Sequence, residues 1–217
     1  MHRFYYDKNR VTAFCDAVFS IAMTLLILEI DVPNSDMIVK NSFLSILAER
    51  IPSFIGFFVS FVVIAIYWVS HLRIFKYVRQ IDEKLIWLNI FLLLTVVFLP
   101  FSTAIYVGNF YGTAPFVFYC SNLILLGLLN YFLVHHITKK EMGYNGMTNL
   151  VGKWLRFRSG NAVLVWILAA VLAPLLPLTA RLTFVLIFII QLFGDKYFKK
   201  KINPKLPNEP QTEEQLS

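Results

Sequence analysis

The residue most capable of taking part in chemistry is Asp16, a carboxylate inside an otherwise apolar stretch that runs from residue 10 to residue 31. On insertion scales, a charge within a membrane-spanning helix costs about 2.5–3.5 kcal/mol at the centre and less near the ends. Such a residue faces a protein interior or a water-filled path. Asp16 therefore marks the first apolar stretch as a functional candidate.

The carboxylate of Asp16 needs a partner on another helix. Arg10 lies six residues away, about 120° around the helix axis and about 9 Å along it, so we expect no direct pair. His71 and Trp87 lie at a matching depth in the next two apolar segments. A His–Asp contact would hold the imidazole in one tautomer. Two interpretations stay open: a network that only anchors the first helix, and a proton relay.

A stripe of aliphatic side chains lies on the same stretch. At 100° per residue, Ile21, Leu25 and Leu28 fall within about 60° of one another. Ser20 and Thr24 lie beside this stripe. Periodicity alone favours ordinary packing against lipid or another helix, because apolar stripes at this spacing are common.

The composition is that of a membrane protein. Hydrophobic residues make up 58% of the chain, with a mean hydropathy of +0.64, whereas soluble domains average about 45–50% apolar residues. A membrane span needs about 20 mostly apolar residues. Six segments approach or meet this length: 10–30, 51–70, 85–107, 114–134, 162–180 and 182–193. The sequence predicts an all-α membrane protein with six transmembrane helices per chain.

The positions of Lys and Arg predict the orientation, because cytoplasmic loops carry an excess of both. Of the 20 Lys and Arg residues, 17 lie in the N-terminal segment, the loops after spans two and four, and the C-terminal tail. Only Lys40, Arg50 and Arg181 fall on the other side. Both termini are predicted to be cytoplasmic, and the net charge of +7 reflects this topology rather than a nucleic-acid-binding face.

The chain is predicted to form one membrane unit, residues 1–202, followed by a Pro-rich disordered tail, residues 203–217. Apolar spacing predicts a short surface helix at 37–49, with Asn34-Ser35-Asp36 as capping residues before it. The segment 149–158 is expected to form an amphipathic cytoplasmic helix, with Trp154 at the interface and Arg156 and Arg158 toward phosphates. Pro100 is expected to kink the third span, with the hydroxyls of Ser102 and Thr103 bonding the freed carbonyls.

Signatures of enzymes are missing from the sequence. It has no Gly-x-Ser-x-Gly, His-Glu-x-x-His or Walker motif, and no paired intramembrane aspartates. The Thr-Val-Gly-Tyr-Gly segment of carbonyl-lined potassium filters is also missing. The cysteines and histidines lack the spacing of a metal site. The sequence predicts a non-enzyme without cofactors or a resident metal.

Several segments of the first half resemble one family. Arg10, Phe14, Cys15 and Asp16 resemble the Arg-x-x-x-Phe-Ser-Asp signature of the transmembrane protein 175 family of potassium channels. Further similar segments are Leu28-Glu29-Ile30-x-Val32-Pro33, Trp68-x-x-His71, Trp87-Leu88-Asn89 and Phe98-Leu99-Pro100-Phe101-Ser102-Thr103. Where the family has Ser, this chain has Cys15, a weaker hydrogen-bond donor, so the network there is expected to be looser or to tolerate either side chain.

The resemblance implies a bacterial-type potassium channel that assembles as a homotetramer, with the first helices lining a central pore. In the family, side chains five, nine and twelve residues past the signature aspartate form the constriction, and here these are Ile21, Leu25 and Leu28. The neighbouring hydroxyls correspond to Ser20 and Thr24. The resemblance also implies a structural network around the first helix that consists of Arg10, Phe14, Cys15, Asp16, His71 and Trp87.

Passive cation flux is the expected mechanism. The protein is expected to be a multi-pass protein of a cell membrane, and the resemblance implies that this is the plasma membrane of a bacterium. Apolar rings would gate the path by dewetting, while Glu29 and Asp31 near the outer mouth would concentrate cations. The expected partners are potassium ions, the lipid bilayer and further copies of the chain. The alternative is a proton-coupled secondary transporter that uses Asp16 and His71. A membrane enzyme or scaffold is a third interpretation, for which only those two residues begin a polar cluster.

Overall fold

The computed structural model describes residues 6–33 and 42–202, and within these ranges the chain is helical without a β-strand. The α-helices are α1 (Lys8–Leu25), α2 (Phe43–Glu49), α3 (Ile51–Phe75), α4 (Glu83–Val97), α5 (Leu99–Gly108), α6 (Thr113–Lys140), α7 (Asn149–Leu172), α8 (Pro177–Leu182) and α9 (Phe184–Ile202).

Five stretches of the described chain are long and apolar enough to cross a membrane. They are Lys8–Glu29, Ile51–Phe75, Glu83–Gly108, Thr113–Lys140 and Asn149–Leu172. Each overlaps one of the first five predicted spans. Residues 184–193 of the sixth predicted span, 182–193, lie in α9, whose C-terminal half carries Asp195 and several lysines. Its crossing of the membrane stays a prediction.

Local sequence sets both ends of the first span. Asp7 caps α1, because its side chain accepts a hydrogen bond from the Arg10 amide at 2.9 Å. After Leu25 the helix tightens into a 3-10 turn, Leu26–Glu29. Pro33 disfavours helical geometry at the residue before it, so the chain leaves the helix before this point.

The third span is broken at Phe98, as expected from Pro100. One helix, α4, ends at Val97, and α5 begins at Leu99 with the proline in its first turn. The hydroxyls of Ser102 and Thr103 donate to the Leu99 carbonyl at 3.0 and 2.8 Å. The accepting carbonyl belongs to the first turn of α5, whereas the carbonyl that Pro100 deprives of its amide donor is that of Val96, four residues earlier.

The fifth span differs from the sequence prediction. The segments 149–158 and 162–180 were expected to form a surface helix and a separate span, but one continuous helix, α7, covers Asn149–Leu172. The first turns of α7 are held against α9, because Trp154 Nε1 donates to Asp195 Oδ1 at 2.8 Å and Arg158 forms an ion pair with the same carboxylate. The segment therefore packs on protein instead of lying flat on the membrane surface.

The expected surface helix at 37–49 is described only in part, as α2. Its expected capping residues, 34–36, and the tail 203–217, which was expected to be disordered, lie outside the described residues.

Three of the basic segments meet at one end of the bundle. Lys8 Nζ donates to the Val78 carbonyl at 2.7 Å, which joins the N-terminal segment to the α3–α4 loop. Arg79 of that loop pairs with Glu141 at the end of α6 at 2.8 Å. This clustering matches the predicted topology, and the assignment of this end to the cytoplasm stays a prediction.

The core has two parts that share α6. The first span packs against α3, α4 and α5, while α6 packs most extensively with α7, which in turn carries α8 and α9. Gly127 lets α6 and α7 approach closely, since a Cβ there would lie 2.9 Å from Val163 Cγ2. The helix with the candidate residues, α1, thus lies on one flank of the subunit.

Candidate functional site

The first span has one covered face and one uncovered face. Phe19, Ala22 and Leu26 are fully buried against other helices of the same chain. The side chains of the aliphatic stripe are instead exposed, 56% for Ile21 and 73% for Leu28. Leu25, between them, is 39% exposed. Among the described residues, no other helix covers the face of α1 and of the following 3-10 turn on which the whole stripe lies.

The two hydroxyls beside the stripe are also exposed. Ser20 Oγ donates to the Asp16 carbonyl and Thr24 Oγ1 donates to the Ile21 carbonyl, each at 2.8 Å. A hydroxyl has one donor and two acceptor lone pairs. Because the helix backbone uses the donor, the oxygen lone pairs of both side chains remain available to a cation on the uncovered face.

Asp16 is anchored by α3. Trp68 Nε1 donates to Asp16 Oδ1 at 2.9 Å in a partly buried position. The expected partners of this carboxylate were His71 and Trp87, and the hydrogen bond comes from neither. Trp68 belongs to the Trp68-x-x-His71 segment. Its spacing of three residues from His71 places both side chains on one helix face. This spacing could have indicated Trp68 as a partner of Asp16.

A second anchor links three helices through Asn89. His71 Nε2 and Asn89 Oδ1 are 2.9 Å apart, and Asn89 Nδ2 donates to Cys15 Sγ at 2.9 Å. An amide oxygen only accepts, so His71 donates from Nε2 and its neutral form has a bare Nδ1. That nitrogen is buried without a hydrogen-bond partner, and the ring stacks on Phe75 at 4.0 Å.

Asn89 belongs to the Trp87-Leu88-Asn89 segment, but it was not among the site residues predicted from the sequence. A buried amide in an apolar span needs partners, and that requirement was the available signal. The same contact bears on the replacement of Ser by Cys in the signature. Here the side chain of Cys15 serves as an acceptor, so the weak donor strength of its thiol does not decide whether this contact forms.

Three members of the expected network lie at the surface of the subunit. Arg10 and Phe14 border a pocket of about 460 Å³, whose lining also includes Asn89. Trp87 is about half exposed and its ring centroid lies 6.0 Å from that of Phe91. The described contacts therefore group Cys15 with His71, and leave Arg10, Phe14 and Trp87 outside that chain of hydrogen bonds.

The acidic residues after the stripe differ in their surroundings. Asp31 pairs with Arg50 at the start of α3 at 3.0 Å, and its side chain is 81% exposed. Glu29 lies at the end of the 3-10 turn and is partly buried. Among the described residues, no group of three or more His, Cys, Asp or Glu side chains has the arrangement of a metal site.

Comparison with known proteins finds one family. The sequence profile described as "Endosomal/lysosomal potassium channel TMEM175" matches residues 10–100. A potassium channel of Streptomyces collinus is 43% identical over 98 residues, which are 45% of this chain and 47% of the relative. This match thus spans about half the length of that relative. A potassium channel of a Chryseobacterium species is 24% identical over 195 residues, 90% of this chain and 97% of the relative.

A solved structure extends the similarity to the whole bundle. The crystal structure of a lysosomal potassium-selective channel TMEM175 homologue from Chamaesiphon minutus has a TM-score of 0.70 and 28% sequence identity to this chain. The superposition covers 90% of this chain and 98% of the other. The profile covers the helices that hold the candidate residues, and the relatives and the fold agree with it. The profile match over residues 10–100, the bacterial relatives and the fold therefore all support the TMEM175 family.

Proposed function

We propose that this chain is the subunit of a homotetrameric, potassium-permeable cation channel of a bacterial plasma membrane, with α1 lining a central pore. The observation that carries the proposal is the uncovered apolar stripe of Ile21, Leu25 and Leu28 on a helix whose opposite face is fully buried. The names of the bacterial relatives, which are potassium channels, support the same function.

In this proposal the stripe is the constriction. Four copies of α1 would place rings of aliphatic side chains around the axis, and a narrow apolar ring gates by dewetting. Such rings offer no fixed oxygen atoms to a dehydrated ion. The hydroxyl oxygens of Ser20 and Thr24, whose donors are occupied by the helix backbone, would supply the oxygen contacts at the edge of the constriction. Discrimination between potassium and sodium is therefore expected to be modest.

Glu29 and Asp31 would form the acidic outer mouth of the pore and attract cations. Because Arg50 pairs with Asp31, we assign the larger share of the attraction to Glu29. A tetramer would then present four carboxylates with little neutralisation and four that are paired.

The anchors on the covered side would set the rotation of α1 about its own axis. Trp68 holds Asp16, and Asn89 holds Cys15, so both contacts resist a turn of the helix that would move the stripe off the pore axis. His71 supports Asn89. We assign Arg10, Phe14 and Trp87 to the exposed margin of the same network.

Planar bilayer recording of the purified chain tests the proposal. We expect discrete currents whose reversal potential under a potassium/sodium bi-ionic gradient favours potassium. Ile21→Asn should wet the constriction and raise the conductance or alter the selectivity. The matched control is Leu164→Asn, which places the same side chain on an exposed position of α7 and should leave the currents unchanged.

Unchanged currents in Ile21→Asn, Leu25→Asn and Leu28→Asn would contradict the assignment of the stripe to the pore. The tetramer is tested separately by light scattering in detergent, where the protein mass should be four times the 25.1 kDa of one chain.

The transporter alternative rests on Asp16 and His71. These residues have separate hydrogen-bond partners, Trp68 and Asn89, so a proton relay between them would require both contacts to rearrange. A protein that gives no current but shows pH-driven tracer uptake in liposomes, with coupling lost in Asp16→Asn, would favour the transporter.

A further inference from the structure

We propose a binding site for a phospholipid between α3, α6 and α8, with the acyl chain in an apolar pocket and the phosphate at Arg181. The pocket has a volume of about 340 Å³. Its apolar lining includes Ile55, Val59, Phe116, Leu178, Leu182 and Phe184. The proposal does not depend on the channel function, because no residue of α1 belongs to the lining.

Arg181 is the cationic member of this lining. Its guanidinium donates to the carbonyls of Pro177 and Phe110, and it lies 5.4 and 5.2 Å from the ring centroids of Phe110 and Phe116. Its Nε is buried without a hydrogen-bond partner. These contacts fix the position of the guanidinium, and they are made to carbonyls and rings instead of to a described carboxylate.

Arg50 and Arg181 differ in whether a described carboxylate pairs with them. Both lie on the predicted outer side, where basic residues are few. Arg50 is neutralised by Asp31 at 3.0 Å, whereas among the described residues no carboxylate lies within ion-pair distance of Arg181. An anionic group brought by a lipid would neutralise this charge and accept hydrogen bonds from the guanidinium.

A phospholipid matches both halves of the site. A guanidinium recognises phosphate through paired hydrogen bonds, and the apolar lining of the pocket suits an acyl chain. Leu178 and Leu182 of α8 are both more than 60% exposed, which opens this side of the subunit toward the surrounding acyl chains. The phosphate and the chain then come from one molecule of the bilayer.

Native mass spectrometry of the purified full chain in detergent tests the site with dioleoyl phosphatidylglycerol as the probe. We expect one tightly bound lipid per subunit. Arg181→Gln should weaken its retention about tenfold, the change that corresponds to the loss of one charge-assisted hydrogen bond. Arg50→Gln removes one outer charge that already has a partner and should retain the lipid like the unaltered chain.

A second variant keeps the test independent of the contacts that Arg181 makes within the fold. Val59→Phe places a ring in the pocket while Arg181 remains, and it should also weaken the retention of the lipid. A local readout comes from phosphatidylglycerol with brominated acyl chains, because Trp166 lines the pocket. The bromine should quench the part of the tryptophan fluorescence that Trp166→Phe removes.

Three results would overturn the proposal. Equal retention of the lipid by the unaltered chain, Arg181→Gln and Val59→Phe would mean that the pocket is not the site. Complete displacement by oleate at equal concentration would assign the pocket to free fatty acids. Occupation by inorganic phosphate alone, without dependence on Val59, would reduce the site to an ion-binding arginine.

Discussion

The two faces of α1 carry similar apolar side chains but have opposite surroundings. Phe19 and Leu26 are fully buried, whereas Ile21 and Leu28, on the same turns, are exposed. Lipid-facing side chains are also apolar, so residue type does not separate a packed face from an uncovered one. What separates them is the presence of partners within the chain, and the buried face alone has polar anchors beside it.

Removing a large side chain should therefore have different effects on the two faces. Phe19→Ala leaves a void between α1 and its neighbours. The surrounding lipid is as apolar as the lost ring, so the cavity dominates, and we expect a loss of about 2–3 kcal/mol in the free energy of unfolding. Ile21→Ala leaves no void within the subunit and should change that free energy by less than about 0.5 kcal/mol. Unfolding in mixed detergent micelles measures both.

The currents of the same two variants sharpen the comparison. Ile21→Ala widens the proposed constriction and should raise the conductance. Phe19→Ala should leave the conductance of the channels that still assemble close to its original value. Equal stability loss in both variants would show that the stripe packs as tightly as the buried face, and would remove the basis for the pore assignment.

Much of this arrangement could be predicted from the sequence, since it depends on local periodicity. The stripe followed from 100° per residue, and the break at Pro100 followed from a missing amide. The partners of Asp16 and Cys15 could not be derived in this way. They depend on the rotation of α3 and α4 about their axes, which hydropathy does not fix.

The predicted boundaries of the fifth span were wrong for a related reason. Charged residues at the start of α7 indicated a surface helix, but Arg158 and Trp154 meet Asp195 of α9. The segment expected at the surface thus forms the first turns of a packed helix, because it contacts a carboxylate more than thirty residues away in the sequence. Pairing at such a distance leaves no local pattern in either segment.

Loss of the central amide tests the anchors of the buried face. Asn89→Leu leaves the donor of His71 without an acceptor in a buried position, for which we expect a loss of about 2 kcal/mol. The control is Trp87→Leu, a change at a half-exposed position on the same helix, with an expected effect below about 0.5 kcal/mol. Thermal unfolding in detergent ranks the two, and the reverse order would place Trp87 at the centre of the network.

The signature cysteine offers a smaller and sharper test of the same anchor. Cys15→Ser keeps an acceptor for Asn89 Nδ2, whereas Cys15→Val has a similar size but accepts no hydrogen bond. We expect Cys15→Val to cost about 1 kcal/mol and Cys15→Ser to cost less, as measured by the same unfolding assay. Equal losses would show that packing volume, and not the hydrogen bond from Asn89, fixes α1 at this point.

The smallest expected effect is that of removing one charge at the start of α4, the helix that carries Asn89. Asp82 caps α4 through the Leu85 amide at 2.8 Å and pairs with Lys140 at 3.0 Å. Partial burial raises the pKa of the Asp82 carboxyl, but the amide, Lys140 and His136 outweigh this and hold the pKa below its ordinary value of 3.8.

The stabilisation from ionised Asp82 is consequently present above pH 3.8 and is lost as the pH falls through the lowered pKa. Asp82→Asn retains an oxygen for the cap and removes the charge, so at pH 7 it should cost about 0.5 kcal/mol, as expected for a partly exposed pair. Asp82→Ala also removes the cap and should cost about 1 kcal/mol more. Unfolding of both variants at successively lower pH from pH 7 should show the difference between Asp82→Asn and the unaltered chain shrink below pH 3.8, while the larger loss in Asp82→Ala persists. A loss in Asp82→Asn that does not change with pH would mean that the geometry of the carboxylate, and not its charge, holds α4 in place beneath the buried face of α1.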